Sequence, residues 1–107
     1  MELTKTVYTL SAQFPKSEIY GLTSQIRRAA VSIPANIAEG QARHTTQQFL
    51  QFLGISKGSL AELETLTILA ESFGYIHSND SNKVLSDCAE INKMLFGISK
   101  ALTANIQ

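Results

Sequence analysis

The chain has 107 residues, of which 44% are hydrophobic and 17% are charged, and it contains only two prolines. This length leaves room for one domain, expected over residues 1–107, and the composition excludes a largely disordered chain. Nine basic and nine acidic residues cancel, so no overall charge attracts nucleic acid or an anionic membrane. No basic segment followed by an apolar run opens the sequence, and no stretch has the length of a membrane span. We therefore expect a cytoplasmic protein with no membrane contact.

The spacing of apolar residues predicts a first, short helix near the N-terminus. Its apolar residues recur at steps of four, three and four, which is the spacing of one helix face. Pro15 ends this helix, because the residue before a proline is pushed out of the α conformation. The apolar face consists of Leu3, Val7, Leu10 and Phe14.

A second helix is predicted from about residue 18 to residue 42. Pro34 lies inside it and removes the backbone hydrogen bond to the carbonyl of Ala30. The apolar pattern continues past this proline, so we expect a kink and not a break. The apolar face consists of Ile19, Leu22, Ile26, Ala29, Ile33 and Ile37.

Two longer helices are predicted to follow. Thr45 and Gln48 have the spacing of a capping box, which starts a third helix that runs to about Phe73, with Gly74 as its C-terminal stop. Residues 78–81 supply the next turn and helix start. The fourth helix has the regular pattern of a bundle seam, formed by Val84, Cys88, Ile91, Leu95, Ile98 and Leu102.

Four helices with short connections, and no alternation typical of strands, predict an all-α fold. The arrangement that these features favour is an antiparallel four-helix bundle. Because the first helix is short, three long helices with a packed N-terminal arm are the alternative.

One stripe of the second helix is polar and lies beside its apolar face when the sequence is projected at 100° per residue. It is either a solvated face with a Glu39–Arg43 pair, or a buried or interfacial polar network. In the second case Glu62, on the third helix, is a partner for Arg28. The members of the predicted network are Gln25, Arg28, Ser32, Asn36, Glu39 and Glu62.

The third helix carries a stripe of small, uncharged residues opposite its large apolar ones. The large residues spread over roughly 220° of the helix surface, which is more than one core contact requires. Either another subunit approaches the stripe closely, which predicts a homo-oligomer, or the glycines admit a neighbouring helix of the same bundle. The stripe consists of Gly54, Gly58, Ala61 and Thr65.

The sequence predicts no catalytic, metal or cofactor site. His44 and His77 have no ligand at metal spacing, and Cys88 falls on an apolar helix face. Glu62 and Glu64 point to different sides of a helix, which argues against an acid/base pair. No glycine-rich phosphate loop occurs. We therefore expect a non-enzymatic protein that needs no cofactor.

Charge is distributed unevenly along the chain. From Lys16 to Lys57 five bases stand against two acids, and from Gly58 to Glu90 six acids stand against one base. This asymmetry suits pairing between subunits as well as an outside partner. A nucleic-acid contact through the arginines is also predicted, although no aromatic residues are interleaved with them. Its candidate residues are Arg27, Arg28, Arg43 and Lys57.

Two segments resemble a bacterial family of four-helix-bundle proteins. The first is 22–40, LTSQIRRAAVSIPANIAEG, and the second is 52–64, FLGISKGSLAELE. The family is named for proteins encoded in intervening sequences of large-subunit ribosomal RNA genes, and the resemblance covers nearly the whole chain.

This resemblance implies a homopentameric barrel without enzymatic activity. The accessory proteins of diversity-generating retroelements are similar too, and they are strongly basic proteins that bind nucleic acid and a reverse transcriptase. Two hypotheses follow for the present, neutral chain. The first is a homo-oligomeric scaffold or adaptor that binds a protein partner. The second is an RNA- or DNA-binding accessory protein that acts through a basic patch on the second helix.

Overall fold

In the computed structural model, which describes residues 1–105, the chain forms four α-helices. They are α1 (Glu2–Ser11), α2 (Leu22–Gln41), α3 (Thr46–Ser72) and α4 (Ser78–Ala104), and a 3₁₀ turn covers Lys16–Glu18. Successive helices pack against each other, α1 also packs against α4, and no strand occurs in residues 1–105. The prediction of an all-α, antiparallel four-helix bundle is confirmed.

The core is one cluster of buried apolar side chains to which all four helices contribute. Most of these side chains come from the apolar faces that the sequence pattern indicates, because burying those faces is the main favourable term in folding. The largest fully buried apolar side chains are Ile33, Leu53, Leu60, Leu63, Leu95 and Val84.

The start of α2 differs from the prediction. The helix begins at Leu22, because Gly21 adopts a non-helical conformation with φ −112° and ψ −114°. Before it, the 3₁₀ turn follows Pro15, and Oε1 of Glu18 accepts a hydrogen bond from the amide of Leu22 at 3.2 Å. The prediction that the helix begins near residue 18 is therefore wrong. Ile19, assigned to its apolar face, lies in the connection and is exposed.

Both ends of α3 are determined by residues that are close to them in sequence. At the start, the Thr45 hydroxyl accepts a hydrogen bond from the amide of Gln48 at 3.1 Å. At the end, Gly74 has φ +78°, a left-handed conformation that glycine adopts without strain. The amide of Tyr75 then donates to the carbonyl of Ala70, which is the Schellman pattern. The Thr45 cap and the Gly74 stop are confirmed, whereas the reciprocal bond of a capping box, from the Thr45 amide to the Gln48 side chain, is not formed in the described residues.

α1 covers only one half of the bundle. The helix has ten residues, and its N-terminal end lines a groove together with Lys83 and Ile91 of α4. The C-terminal half of α4 extends past this point. Ile98, assigned to the seam from its spacing, is therefore partly exposed, whereas Leu95 is buried. At the end that α1 does not cover, α2 and α4 each pack against α3 and not against each other in the described residues.

Candidate functional site

The polar stripe of α2 is mostly exposed within one chain. Gln25, Arg28 and Ser32 line a shallow groove with Glu62 of α3, but no ion pair within 4 Å joins Arg28 to a carboxylate in residues 1–105. Glu39 and Arg43 form the i, i+4 surface pair, with an N–O distance of 2.8 Å. The groove thus brings an unpaired arginine close to a glutamate on the next helix.

A short hydrogen-bonded chain lies in the middle of this stripe. The side-chain amide of Asn36 donates to the carbonyl and to the hydroxyl oxygen of Ser32, both at 2.8 Å. The hydroxyl of Ser59 on α3 donates to the Ser32 hydroxyl, also at 2.8 Å. The sequence pattern did not include Ser59, because a periodicity along α2 carries no information about which residue of α3 faces it.

Arg27 is held at the C-terminal end of α1. Its Nε donates to the Ser11 hydroxyl at 2.8 Å, and its Nη2 donates to the Tyr8 carbonyl at 3.4 Å. The guanidinium also lies over the Tyr8 ring, 4.7 Å from the centroid. A cation near a helix C-terminus interacts favourably with the negative end of the helix dipole. The guanidinium of Arg27 is therefore already hydrogen-bonded within the chain, to a hydroxyl and to a backbone carbonyl.

Arg43 is engaged at the opposite end of α2. Besides its pair with Glu39, its guanidinium lies over the Phe52 ring at 4.8 Å from the centroid. At 1.5 Å per residue, Arg27 and Arg43 are about 24 Å apart along the helix. The structure does not bring the candidate phosphate contacts Arg27, Arg28, Arg43 and Lys57 together into one compact patch.

Lys57 instead lies beside an aromatic residue of α4. Its Nζ is 5.8 Å from the centroid of the Phe96 ring. Lys57 and Phe96 line one groove with Ser99, Lys100, Thr103 and Ala104. Neither Phe96 nor Lys100 stands out in the sequence, because the groove exists only once α3 and α4 have packed. We call it the α3–α4 groove.

The small-residue stripe of α3 faces away from the chain's own core. A Cβ atom added at Gly54 or at Gly58 would meet no other atom within 4 Å. The alternative that these glycines admit a neighbouring helix of the same bundle is therefore excluded. Gly40 on α2, in contrast, does allow close packing of a neighbouring helix, since a Cβ there would lie 2.7 Å from Cδ1 of Phe49.

Large apolar residues surround the same stripe. Ile55, Ile68 and Leu69 are between 39% and 55% exposed. Glu62 is the only charged residue among the exposed positions of α3 from Gly54 to Leu69. We call this surface the outer face of α3: Gly54, Ile55, Gly58, Ala61, Glu62, Thr65, Ile68 and Leu69.

The candidate reactive groups do not assemble into a metal centre. No cluster of three His, Cys, Asp or Glu side chains with ligand geometry occurs in residues 1–105. Cys88 is buried on α4. Burial, together with the carboxylates of Glu64 and Asp87, raises the pKa of its thiol to about 12. The thiol is therefore neutral at physiological pH and is a poor nucleophile.

Fold and surfaces together define a small helical-bundle protein whose exposed features are apolar helix faces and charged grooves. Over residues 1–105, no helix combines the length and apolarity required to cross a bilayer. The model of the 23S rRNA-intervening sequence protein family matches residues 1–97, and the chain belongs to this family. The resemblance in residues 22–40 and 52–64 is confirmed.

A solved structure agrees with this assignment. The chain is similar to a protein of unknown function from the S23 ribosomal protein family of Bacteroides thetaiotaomicron VPI-5482, with 26% identity and a TM-score of 0.82. The match covers 92% of this chain and 93% of that one. No curated protein sequence matches the chain. Neither description names an enzymatic activity.

Proposed function

We propose that the protein is a non-enzymatic, homo-oligomeric scaffold or adaptor whose subunits contact one another through the outer face of α3. The observation that carries this proposal is the pair Gly54 and Gly58. Each lies inside a helix, where glycine costs about 1 kcal/mol relative to alanine. Neither is required by any neighbour within the chain. If another backbone approaches this face closely, a side chain at either position would collide with it, which explains why both positions are glycine.

The large residues around the stripe support the same proposal. Ile55 is exposed near one end of the stripe, and Ile68 and Leu69 are exposed near the other; exposed apolar surface is typical of interaction sites. Small residues in the middle and larger residues at the edge give a surface that another helix can enter. The family resemblance favours five subunits, and a ring would leave other surfaces free for a protein partner.

The test compares two glycines that are equally open within the chain. Gly58→Leu should lower the mass measured by light scattering while the helical circular dichroism is retained. Gly97→Leu, on α4, is the matched control, since a Cβ at Gly97 also meets nothing within 4 Å. It should leave the mass unchanged. A monomeric parent protein, or a Gly58→Leu variant with the parent's mass, would contradict the proposal.

A nucleic-acid-binding accessory role is the second candidate function. It is supported by Arg28, which is exposed and has no carboxylate within 4 Å in the described residues. If a basic patch on α2 carries the binding, replacing Arg27 and Arg43 with Glu should remove most of it. Because both arginines are engaged inside the chain, that variant must also be checked for its stability.

A further inference from the structure

We propose that the α3–α4 groove binds single-stranded nucleic acid, with a base stacked on Phe96 and neighbouring phosphates at Lys57 and Lys100. This inference rests on the second candidate function and gives it a different site. The arginines of α2 are separated and partly engaged, whereas the groove combines an aromatic ring and two lysines in one place.

The first support is the aromatic ring itself. Phe96 is 65% exposed, although an apolar ring of this size gains free energy when it is buried. Its groove has a volume of about 440 Å³, which gives a flat group room beside the ring. Stacking of a base on an aromatic side chain contributes about 1–3 kcal/mol and tolerates any sequence.

The second support is the local charge. The first half of α3, residues 46–61, contains Lys57 and no acidic residue. The facing part of α4, residues 91–104, contains Lys93 and Lys100 and no acidic residue. None of the three lysines is within 4 Å of a carboxylate in residues 1–105. A neutral protein thus has a locally basic surface that matches a polyanion.

The third support is an unsatisfied hydroxyl in the wall of the groove. Oγ of Ser99 is buried and has no hydrogen-bond partner in the described residues. A buried polar group without a partner costs free energy. Ser99 lines the groove with Phe96 and Lys100, and a change of its rotamer would bring the buried hydroxyl to a ligand bound there. A ribose hydroxyl or a base edge has the required acceptor.

These features favour an unpaired strand over two other polyanions. The bases of a duplex are stacked on one another, so a single ring in a groove has no free base face to contact. An acidic peptide can pair with the lysines, but its carboxylate side chains supply no flat group to stack on the Phe96 ring. In a homo-oligomer the groove is repeated in each subunit, which converts weak single contacts into measurable avidity.

The experiment uses fluorescence anisotropy with a labelled oligo(U) strand and the intact protein at low salt. Phe96→Ala should weaken binding by about five-fold or more, as expected for the loss of one stacked base. Phe96→Leu should also weaken it, because leucine keeps the apolar volume but loses the flat face. Phe73→Ala is the matched control, since Phe73 is 58% exposed and lies in the acidic part of the chain.

The lysines are tested by their salt dependence. In the Lys57→Gln, Lys100→Gln double variant, the slope of log K against log salt should fall by about 1.4, the value for two phosphate contacts on a single strand. Lys83→Gln should leave the slope unchanged. Circular dichroism and light scattering should show that every variant keeps its fold and its mass.

The possible outcomes distinguish failure of the proposed groove from failure of nucleic-acid binding altogether. No binding to oligo(U) at low salt would overturn the second candidate function, and the groove with it. Binding that responds equally to Phe96→Ala and Phe73→Ala would overturn the groove and leave the function standing. Equal displacement of the strand by a duplex or by poly-glutamate would show a site for negative charge alone, which also overturns the proposal.

Discussion

The hydroxyl of Thr4 on α1 donates a hydrogen bond to the carbonyl oxygen of Ala30 on α2, at 3.3 Å. Pro34 has no amide hydrogen, so this carbonyl lacks the partner that an uninterrupted helix would give it. Ala30 is fully buried, and a buried acceptor without a partner costs about 1–3 kcal/mol. A side chain of the first helix therefore compensates for the proline inside the second.

Thr4→Val tests this compensation, because valine keeps the shape of threonine and removes the donor. The free energy of unfolding, measured by urea denaturation, should fall by about 1 kcal/mol. Thr9→Val is the control: the Thr9 hydroxyl bonds only to Lys5 of its own helix and is exposed. Equal losses in the two variants would show that the Ala30 carbonyl does not depend on Thr4.

Gly40→Ala should destabilise the protein although alanine is the better helix former. The added methyl group would lie 2.7 Å from Cδ1 of Phe49 and 2.9 Å from Cβ of Phe52. Overpacking of this kind costs about 1–3 kcal/mol. Gly97→Ala is open to solvent and should gain up to about 1 kcal/mol. An increase in the free energy of unfolding at both positions, measured by chemical denaturation, would show that the contact between α2 and α3 can accommodate an added methyl group.

Leu95→Ala should lower the free energy of unfolding by about 2–5 kcal/mol, because it removes a fully buried side chain and leaves a cavity. The adjacent Met94 is exposed, and Met94→Ala should change it by no more than about 0.5 kcal/mol. Thermal melts of the two variants give the comparison. A Leu95→Ala melt that coincides with the parent's would show that Leu95 does not belong to the buried face of α4.

Cys88 should resist thiol reagents in the folded protein and react quickly in urea. Burial raises the pKa of this thiol to about 12, so the thiol stays neutral, whereas an unfolded cysteine ionises near pH 8.5. A raised folded-state pKa contributes stability that is present below the unfolded value and is lost as pH rises toward 12. Cys88→Ala should therefore weaken the decline of stability above about pH 9. Rapid labelling of the native protein at neutral pH would contradict the burial of this thiol.

The helices and their caps could be predicted because each depends on residues close in sequence. Thr45 reaches the amide of Gln48 within one turn, and Gly74 has its left-handed conformation for local steric reasons. The start of α2 could not be predicted, because the apolar spacing of Ile19 continues the helix pattern. Backbone geometry at Gly21 decides the boundary instead.

The candidate sites were predictable only in part. Lys57 was singled out from the sequence, but its neighbour Phe96 comes from another helix, and helical periodicity does not determine which residues of two helices meet. The same limit applies to Arg27, which the sequence offered as a phosphate contact. Its bonds to Tyr8 and Ser11 depend on how α1 lies across α2.

The order of contacts among the helices has a consequence for how the chain folds. α1–α2, α2–α3 and α3–α4 are each neighbours in sequence, and α1–α4 is the one packed pair that joins distant segments. Helical hairpins close short loops and form quickly, whereas a pair of distant segments must close a long one. Docking of the ten-residue α1 onto α4 is therefore expected to be the last step of folding, and its release the first local opening of the native protein.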